Sequence, residues 1–289
     1  GLIGASEPMG EVHGASNDLA GIFYTGGTTG LPKGVMLSHN NLHCMASSLI
    51  MALKVDERCV NLHAAPMFHL ADIGLFMTTM VAGQHVFTRK LSEDLILDLT
   101  SRWGITHIFT VPAVIDRLAK HPRAATTDMS SLMVLGYGGA PMPMGTYTAA
   151  RARFPTTEFV QGYGMTEMAA STLLGPECHR PGADPAKLNS VGKVIYGYEL
   201  RIVDPEGNEV APGQVGEIVG RGDNVMLGYW NRPAETAAAL RNGWMHTQDG
   251  GYMDDDGFIY ITDRLKDMII TGGENVYSIE VESVLSTYP

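Results

Sequence analysis

The chain has 289 residues, 45% apolar and 18% charged, a composition that folds around a core and is not that of a disordered protein. That length suits one large domain or two ordinary ones. The formal charge of −11 argues against a nucleic-acid partner, which selects a basic face, and means that an anionic ligand must be held by local donors and a metal.

Residues 1–18 are small, polar and Gly-rich and read as a loop or linker. Gly1-Leu2-Ile3-Gly4 has no initiating Met and no basic flank, so the chain reads as an internal stretch of a longer protein. From Leu19 onward strands and helices alternate. An apolar strand is expected at 22–24, before a glycine-rich loop. Ser38 is a suitable N-cap for a helix reaching residue 53. Strands are expected at 59–63, 84–87, 105–111, 132–135 and 158–160. Helices are expected at 71–82, 113–120 and 143–153, with another from the Ser92 cap to 102. Glu93 and Asp94 fall in its first turn, where the helix dipole favours acids. This alternation implies an α/β fold, a parallel sheet with helices on both faces, over residues 1–188.

Near Ser190 the pattern changes. Short strands at 199–203, 215–220 and 258–262 alternate with turns such as Asp254-Asp255-Asp256-Gly257, and only 233–240 reads as helix. Residues 189–264 therefore read as a small antiparallel, β-barrel-like subdomain. A strand at 268–271 and a helix at 278–285 make 265–289 a hinge and the start of a truncated α+β domain. The most apolar run, 70–83, is too short to span a bilayer and carries Asp72.

The most informative segment is Tyr24-Thr25-Gly26-Gly27-Thr28-Thr29-Gly30-Leu31-Pro32-Lys33-Gly34. It exposes backbone N–H groups, small hydroxyls and one lysine, a combination suited to a polyphosphate. It is not a Walker-type loop, because Lys33 stands between Pro32 and Gly34. Two further Gly-rich segments follow expected strands. Gly136-Tyr137-Gly138-Gly139-Ala140-Pro141 offers bare backbone to a flat base. Gln161-Gly162-Tyr163-Gly164-Met165-Thr166-Glu167 offers an aromatic face, a hydroxyl and a carboxylate able to hold Mg²⁺. Ligands of α/β sheets bind at the carboxyl ends of strands, so all three segments are expected to meet in one crevice around ATP and its metal. Downstream, Asp249 and Arg264 are candidates to grip ribose hydroxyls.

Residues 24–34, 161–167 and 247–267 together resemble the signature motifs of the adenylate-forming, AMP-binding superfamily. The likeness is nearest to fatty-acyl and medium-chain acyl-CoA synthetases, through Ala65-Pro66-Met67-Phe68-His69 and residues 263–282. The resemblance implies a two-step reaction. A carboxylate attacks the α-phosphate of ATP to give acyl-AMP and pyrophosphate, and coenzyme A then displaces AMP. It implies that Thr25, Gly27, Thr28, Thr29, Gly30 and Lys33 lie at the β- and γ-phosphates. Gly138, Gly139, Ala140 and Pro141 would line the adenine, with Gly162, Tyr163, Gly164 and Met165 beside it. Thr166 would contact the α-phosphate and Glu167 would ligate Mg²⁺. His69 and Gly138 would border the acid. Lys266 and Asp267 match a hinge about which a C-terminal domain rotates, and Gly272, Gly273 and Glu274 match the segment that approaches the thiol. Gly26, Gln248 and Ser278 depart from the usual Ser/Thr, Gly and Pro. The family's N-terminal portion and its late catalytic lysine are not in this sequence, so the chain as written is expected to bind nucleotide poorly and not to complete adenylation.

Plainer readings stand beside these. His39 and His43 lack the Glu of His-Glu-x-x-His and read as a surface or capping pair. His69 reads either as a pocket residue or as a packed core histidine. Asp254-Asp255-Asp256-Gly257 lacks calcium-loop spacing and reads as a solvated turn. Cys44, Cys59 and Cys178 form no Cys-x-x-Cys and read as ordinary thiols in a reduced, cytoplasmic setting. Two rival functions remain open: an amino-acid-activating domain, which the position of Asp72 after Phe68-His69 disfavours, and a non-catalytic nucleotide-binding chain.

Overall fold

A computed structural model describes residues 14–25, 32–66, 69–264, 269–271 and 274–276. The first elements are an antiparallel hairpin of β1 (Leu19–Tyr24) and β2 (Gly34–Ser38), followed by α1 (His39–Leu53). β2 was not expected, and it alters the setting of the first glycine-rich loop. The strand before that loop, β1, pairs antiparallel with β2 and is not a strand of the parallel sheet. The reason is tertiary: Val35 and Leu37 are fully buried, and the other edge of β2 pairs with β12 (Gly228–Tyr229) far along the chain. Ser38 ends β2 and caps α1 as expected. Its Oγ accepts the Asn41 N–H at 3.1 Å, and Asn41 Oδ1 accepts the Ser38 N–H at 2.8 Å.

The α/β unit then runs through β3 (Val60–His63), α2 (Gly74–Met80), β4 (Gln84–Phe87), α3 (Glu93–Trp103), β5 (His107–Thr110) and α4 (Pro112–Lys120). It continues with β6 (Val134–Gly138), α5 (Met144–Arg153), β7 (Glu158–Met165), β8 (Ala169–Leu174), α6 (Pro176–His179) and β9 (Lys193–Val194). The sheet order is β4-β3-β5-β6-β7-β8-β9, parallel through β7 and antiparallel from there. Alternate residues of the strands face two cores. Leu62, Ile108, Leu135 and Phe159 pack with α3, α4 and α5, whereas Cys59, Phe109 and Tyr163 pack toward the side of α1 and α2.

A five-stranded antiparallel sheet follows, made of β10 (Tyr198–Val203), β11 (Gly216–Gly222), β13 (Leu240–Arg241), β14 (Trp244–Met253) and β15 (Ile259–Arg264), with α7 (Pro233–Ala239) before β13. Its core is continuous with that of β2 and α1: Leu200, Ile218, Met245 and Ile259 cluster with Val35, Leu37 and Met45. β14 and the pairing partners β8 and β9 were not anticipated, because glycines and polar residues interrupt their apolar pattern. Asp254 and Asp256 lie in the β14–β15 turn and bind Lys187 Nζ at 2.7 and 2.9 Å, which confirms a turn and leaves no cation loop. A short hairpin, β16 (Ile269–Thr271) with β17 (Glu274–Val276), ends the described chain, and the expected helix at 278–285 lies outside the described residues. No helix among the described residues is long and apolar enough to cross a membrane.

Candidate active site

The second and third glycine segments end adjacent strands. Gly138 of β6 pairs in register with Gly162 of β7, and a Cβ on Gly138 would lie 2.5 Å from the Gly162 carbonyl oxygen. Gly164 is tighter still, since its Cβ would fall 1.6 Å from the Ala169 oxygen. Only glycine lets these backbones approach so closely. Gly139 (φ 76°), Ala140 and Pro141 then emerge exposed. Behind them the Tyr137 hydroxyl meets His179 Nε2 at 2.9 Å, while His179 Nδ1 lies 2.8 Å from the Gly175 carbonyl. That carbonyl only accepts, so Nδ1 carries the proton and Nε2 accepts from Tyr137. Burial holds the His179 pKa below the usual imidazole range and pushes the Tyr137 hydroxyl up.

After Met165 the chain turns through Thr166, Glu167 and Met168 into β8, with Ala169 at φ 52°. The turn is held from outside. Met226 N–H donates to the Glu167 carbonyl at 2.9 Å, and Asn224 Nδ2 donates to the Met168 carbonyl at 2.9 Å. The Asn41 amide in turn grips the carbonyls of Asp223 and Val225. α1 and the β11–β12 loop thus fix the residue expected to hold the metal.

Glu167 is 4% exposed, and its Oε1 accepts the Tyr229 hydroxyl at 2.7 Å. Lys33 Nζ lies 4.3 Å from the centroid of the same tyrosine ring. Burial, and then the adjacent carboxylate, push the Tyr229 hydroxyl well above the usual phenol range, so it is a donor at neutral pH. Thr25 closes the base of the hairpin: its N–H donates to the Lys33 carbonyl at 3.0 Å. Residues 26–31, and with them Gly27, Thr28, Thr29 and Gly30, lie outside the described residues.

The third part of the site is on β14. The Tyr163 hydroxyl donates to Asp249 Oδ2 at 2.7 Å. Arg264 lies opposite Asp249 in the β14–β15 register. The irregular part of β14 before Asp249 is braced by Glu217, whose Oε1 accepts the Gln248 N–H at 3.0 Å and whose Oε2 lies 2.8 Å from His246 Nδ1. Thr247 Oγ1 accepts the Asp249 N–H at 3.0 Å and donates to the Ile218 carbonyl at 2.7 Å. Gln248 has φ 64°, a conformation that favours glycine, the residue the resemblance leads one to expect there.

His69 is exposed on the loop after β3, which removes the packed-core reading. The Asp72 N–H donates to the His69 carbonyl at 3.0 Å, and the Asp72 carboxylate is engaged by His63 Nδ1 at 2.9 and 2.8 Å. His63 Nε2 contacts His85 Nδ1 at 2.9 Å, and Phe87 stacks on His63 at 4.3 Å. Asp72 is therefore occupied within the fold. His39 and His43 are both exposed, as a surface pair should be. Burial raises the pKa of Cys44, Cys59 and Cys178, as expected of unreactive thiols.

Residues 4–230 match the model of the AMP-binding enzyme family. The chain belongs to the AMP-binding enzyme family. Feruloyl-CoA synthase of Amycolatopsis sp is 41% identical over 277 residues, covering 94% of this chain and 55% of the relative. 4-Coumarate–CoA ligase 1 of Arabidopsis thaliana is 35% identical over 298 residues, covering 99% and 52%. The O-succinylbenzoate coenzyme A synthetase of Bacillus subtilis, in complex with ATP and magnesium ion, superposes with a TM-score of 0.86 at 34% identity over 94% of this chain and 56% of that one. The chain spans about half the length of the curated relatives it matches.

Within this AMP-binding chain three expected segments are joined: Gly138 to Gly162 through the sheet, Tyr163 to Asp249, and Glu167 through Tyr229 to Lys33. Lys266, Gly272 and Gly273 lie outside the described residues, and of Glu274 only the strand is described. Sequence reasoning missed Tyr229 and Glu217. Tyr229 sits in a Gly-Tyr-Trp run without local periodicity, and Glu217 reads as an ordinary acid near the start of an apolar strand. A magnesium ion fits Glu167. The carboxylate is buried, and among the described residues only a neutral hydroxyl engages it and no cation lies within ion-pair distance of it. Among the described residues no cluster of three or more His, Cys, Asp or Glu forms a self-sufficient metal site. That suits Mg²⁺, which is commonly held by one or two carboxylates together with substrate phosphates.

Proposed function

We propose that the chain is the nucleotide-binding portion of an AMP-forming acid–thiol ligase, which activates a carboxylic acid with ATP and passes the acyl group to coenzyme A. The observation that carries this reading is the Lys33–Tyr229–Glu167 contact. It brings a phosphate-type lysine over the ring face and a metal-type carboxylate to the hydroxyl of one tyrosine.

In this reading the hydroxyls and N–H groups of residues 25–30 and the Lys33 ammonium hold the β- and γ-phosphates. The exposed backbone of 139–141 and the Tyr163 ring enclose the adenine, and Asp249 binds the ribose, with Arg264 opposite it. Thr166 donates to the α-phosphate, and Glu167 holds the Mg²⁺. The bound Mg²⁺ would supply charge neutralisation at the phosphates. The protein's task is positioning and electrostatic stabilisation, with no protein nucleophile. His69 borders the acid at the C-terminal edge of the same sheet. Glu274 with residues 272–273 would meet the thiol after rotation about Lys266.

The relatives' names, feruloyl-CoA synthase and 4-coumarate–CoA ligase among them, support an apolar and in particular an aromatic acid. An amino acid is disfavoured because Asp72, the carboxylate that follows Phe68-His69, is engaged by His63. Pyrophosphate exchange by the full-length protein on a panel of cinnamic, succinylbenzoic, fatty and amino acids tests the reading. Exchange with an apolar acid, followed by thioester on adding coenzyme A, is expected. Exchange with amino acids alone, or AMP binding with no exchange on any acid, overturns it.

A further inference from the structure

Tyr229 has no role in the reading above beyond making contact, yet its surroundings are closely specified. Its N–H donates to Thr236 Oγ1 at 2.9 Å, and β12 pairs it with Val35 of β2. Gly228 before it has φ 143°, and a Cβ there would meet the Thr236 side chain at 2.8 Å. The phenol is thus fixed from its own backbone, 4% exposed, with one ring face toward Lys33 Nζ and the hydroxyl on Glu167 Oε1.

This placement solves an electrostatic problem. A lysine and a buried carboxylate that serve one metal–phosphate group must lie close together. Left in contact they would form an ion pair, and each would neutralise the charge the ligand needs. The neutral Tyr229 side chain contacts both, the ammonium over its ring face and the carboxylate at its hydroxyl, and so offers each a partner other than the opposite charge. The ring face attracts the ammonium. The hydroxyl hydrogen-bonds one carboxylate oxygen without cancelling its charge, and it orients the other. Among the described residues nothing binds that other oxygen, Oε2.

Resting on the assignment of Glu167 to the metal, we infer that Tyr229 is a positioning residue: it orients the Glu167 carboxylate for a divalent cation and keeps Lys33 apart from it for the phosphates. Two substitutions separate these tasks. Tyr229→Phe keeps the spacer and removes the orienting hydroxyl. Tyr229→Leu removes the ring face as well.

The test measures ATP binding by calorimetry in the full-length protein, with and without Mn²⁺, for the parent, Tyr229→Phe, Tyr229→Leu and Glu167→Gln, alongside thermal unfolding. Orienting partners of metal ligands typically change metal affinity by about 10- to 100-fold. Tyr229→Phe should therefore weaken Mn²⁺-dependent ATP binding by about 10- to 100-fold and leave metal-free ATP binding and Tm near the parent values. Tyr229→Leu should weaken both forms of binding, because Lys33 is then free to pair with Glu167. Parent-like Mn²⁺–ATP binding by Tyr229→Phe, with Glu167→Gln impaired, overturns the inference and leaves the metal assignment standing. Equal loss with and without metal in Tyr229→Phe also overturns it, as a purely structural effect. Parent-like Mn²⁺–ATP binding by Glu167→Gln overturns the metal assignment itself.

Discussion

Asp72 and Glu167 are both buried carboxylates, yet their surroundings differ in kind. Asp72 meets His63 Nδ1 with both oxygens, and that histidine is held in turn by His85 and covered by Phe87. Glu167 receives one neutral hydroxyl on one oxygen. A buried polar group whose partners all come from the fold is part of the fold's own structure. One that keeps an oxygen unmatched by the described residues is available to a ligand.

The largest expected effect falls on activity. Glu167→Gln should lower adenylation by the full-length protein on the order of 10²-fold or more while leaving Tm nearly unchanged, because the hydroxyl still finds an acceptor. Kinetics together with thermal unfolding check this, and a large loss of Tm would place Glu167 in the same class as Asp72. The reverse pattern is expected at the other carboxylate. His63→Ala strands a buried acid and should destabilise the chain by about 3–5 kcal/mol in denaturant unfolding. A shift under about 1 kcal/mol would mean that the Asp72 pair is not structural.

His107 sharpens the comparison, because it is a buried histidine whose hydrogen-bond partners, Thr106 and Cys59, carry no acid. Burial lowers its pKa from 6.5 to about 4. The unfolded chain therefore takes up a proton that the folded chain refuses, so stability falls as pH drops from near 6.5 toward 4. The loss should reach about 2 kcal/mol between neutrality and pH 5, and His107→Leu should flatten that slope. A slope unaltered by the substitution would assign the pH dependence to other groups. The smallest effect concerns Gln248. Relief of its left-handed backbone in Gln248→Gly should stabilise the chain by about 1 kcal/mol or less, read as a shift in denaturation midpoint.

Local chemistry carries what was legible in the sequence. Ser38 announces α1 through its hydroxyl, and the glycines at 138 and 164 stand where backbones approach closely. The strand–helix alternation from β3 to β7 announces a parallel sheet. What was not legible depends on distant partners. β2 is a strand because β12 pairs with it. Tyr229 matters because Glu167 and Lys33, from two other parts of the chain, meet at its ring. Glu217 bonds Gln248 across two strands, and nothing in its own neighbourhood marks it. The partner of Asp72, His63, appears only once β3 and the following loop are folded together.

The central claim, that Glu167 is the carboxylate kept for the metal of a bound triphosphate, is tested most directly by a crystal structure of the full-length protein with ATP and Mn²⁺, the ion located by its anomalous scattering. The account predicts manganese bound directly to Glu167 Oε2 and to phosphate oxygens, with Lys33 on the phosphates and the Tyr229 hydroxyl still on Oε1. Manganese held elsewhere, with Glu167 touching neither metal nor nucleotide, would contradict it.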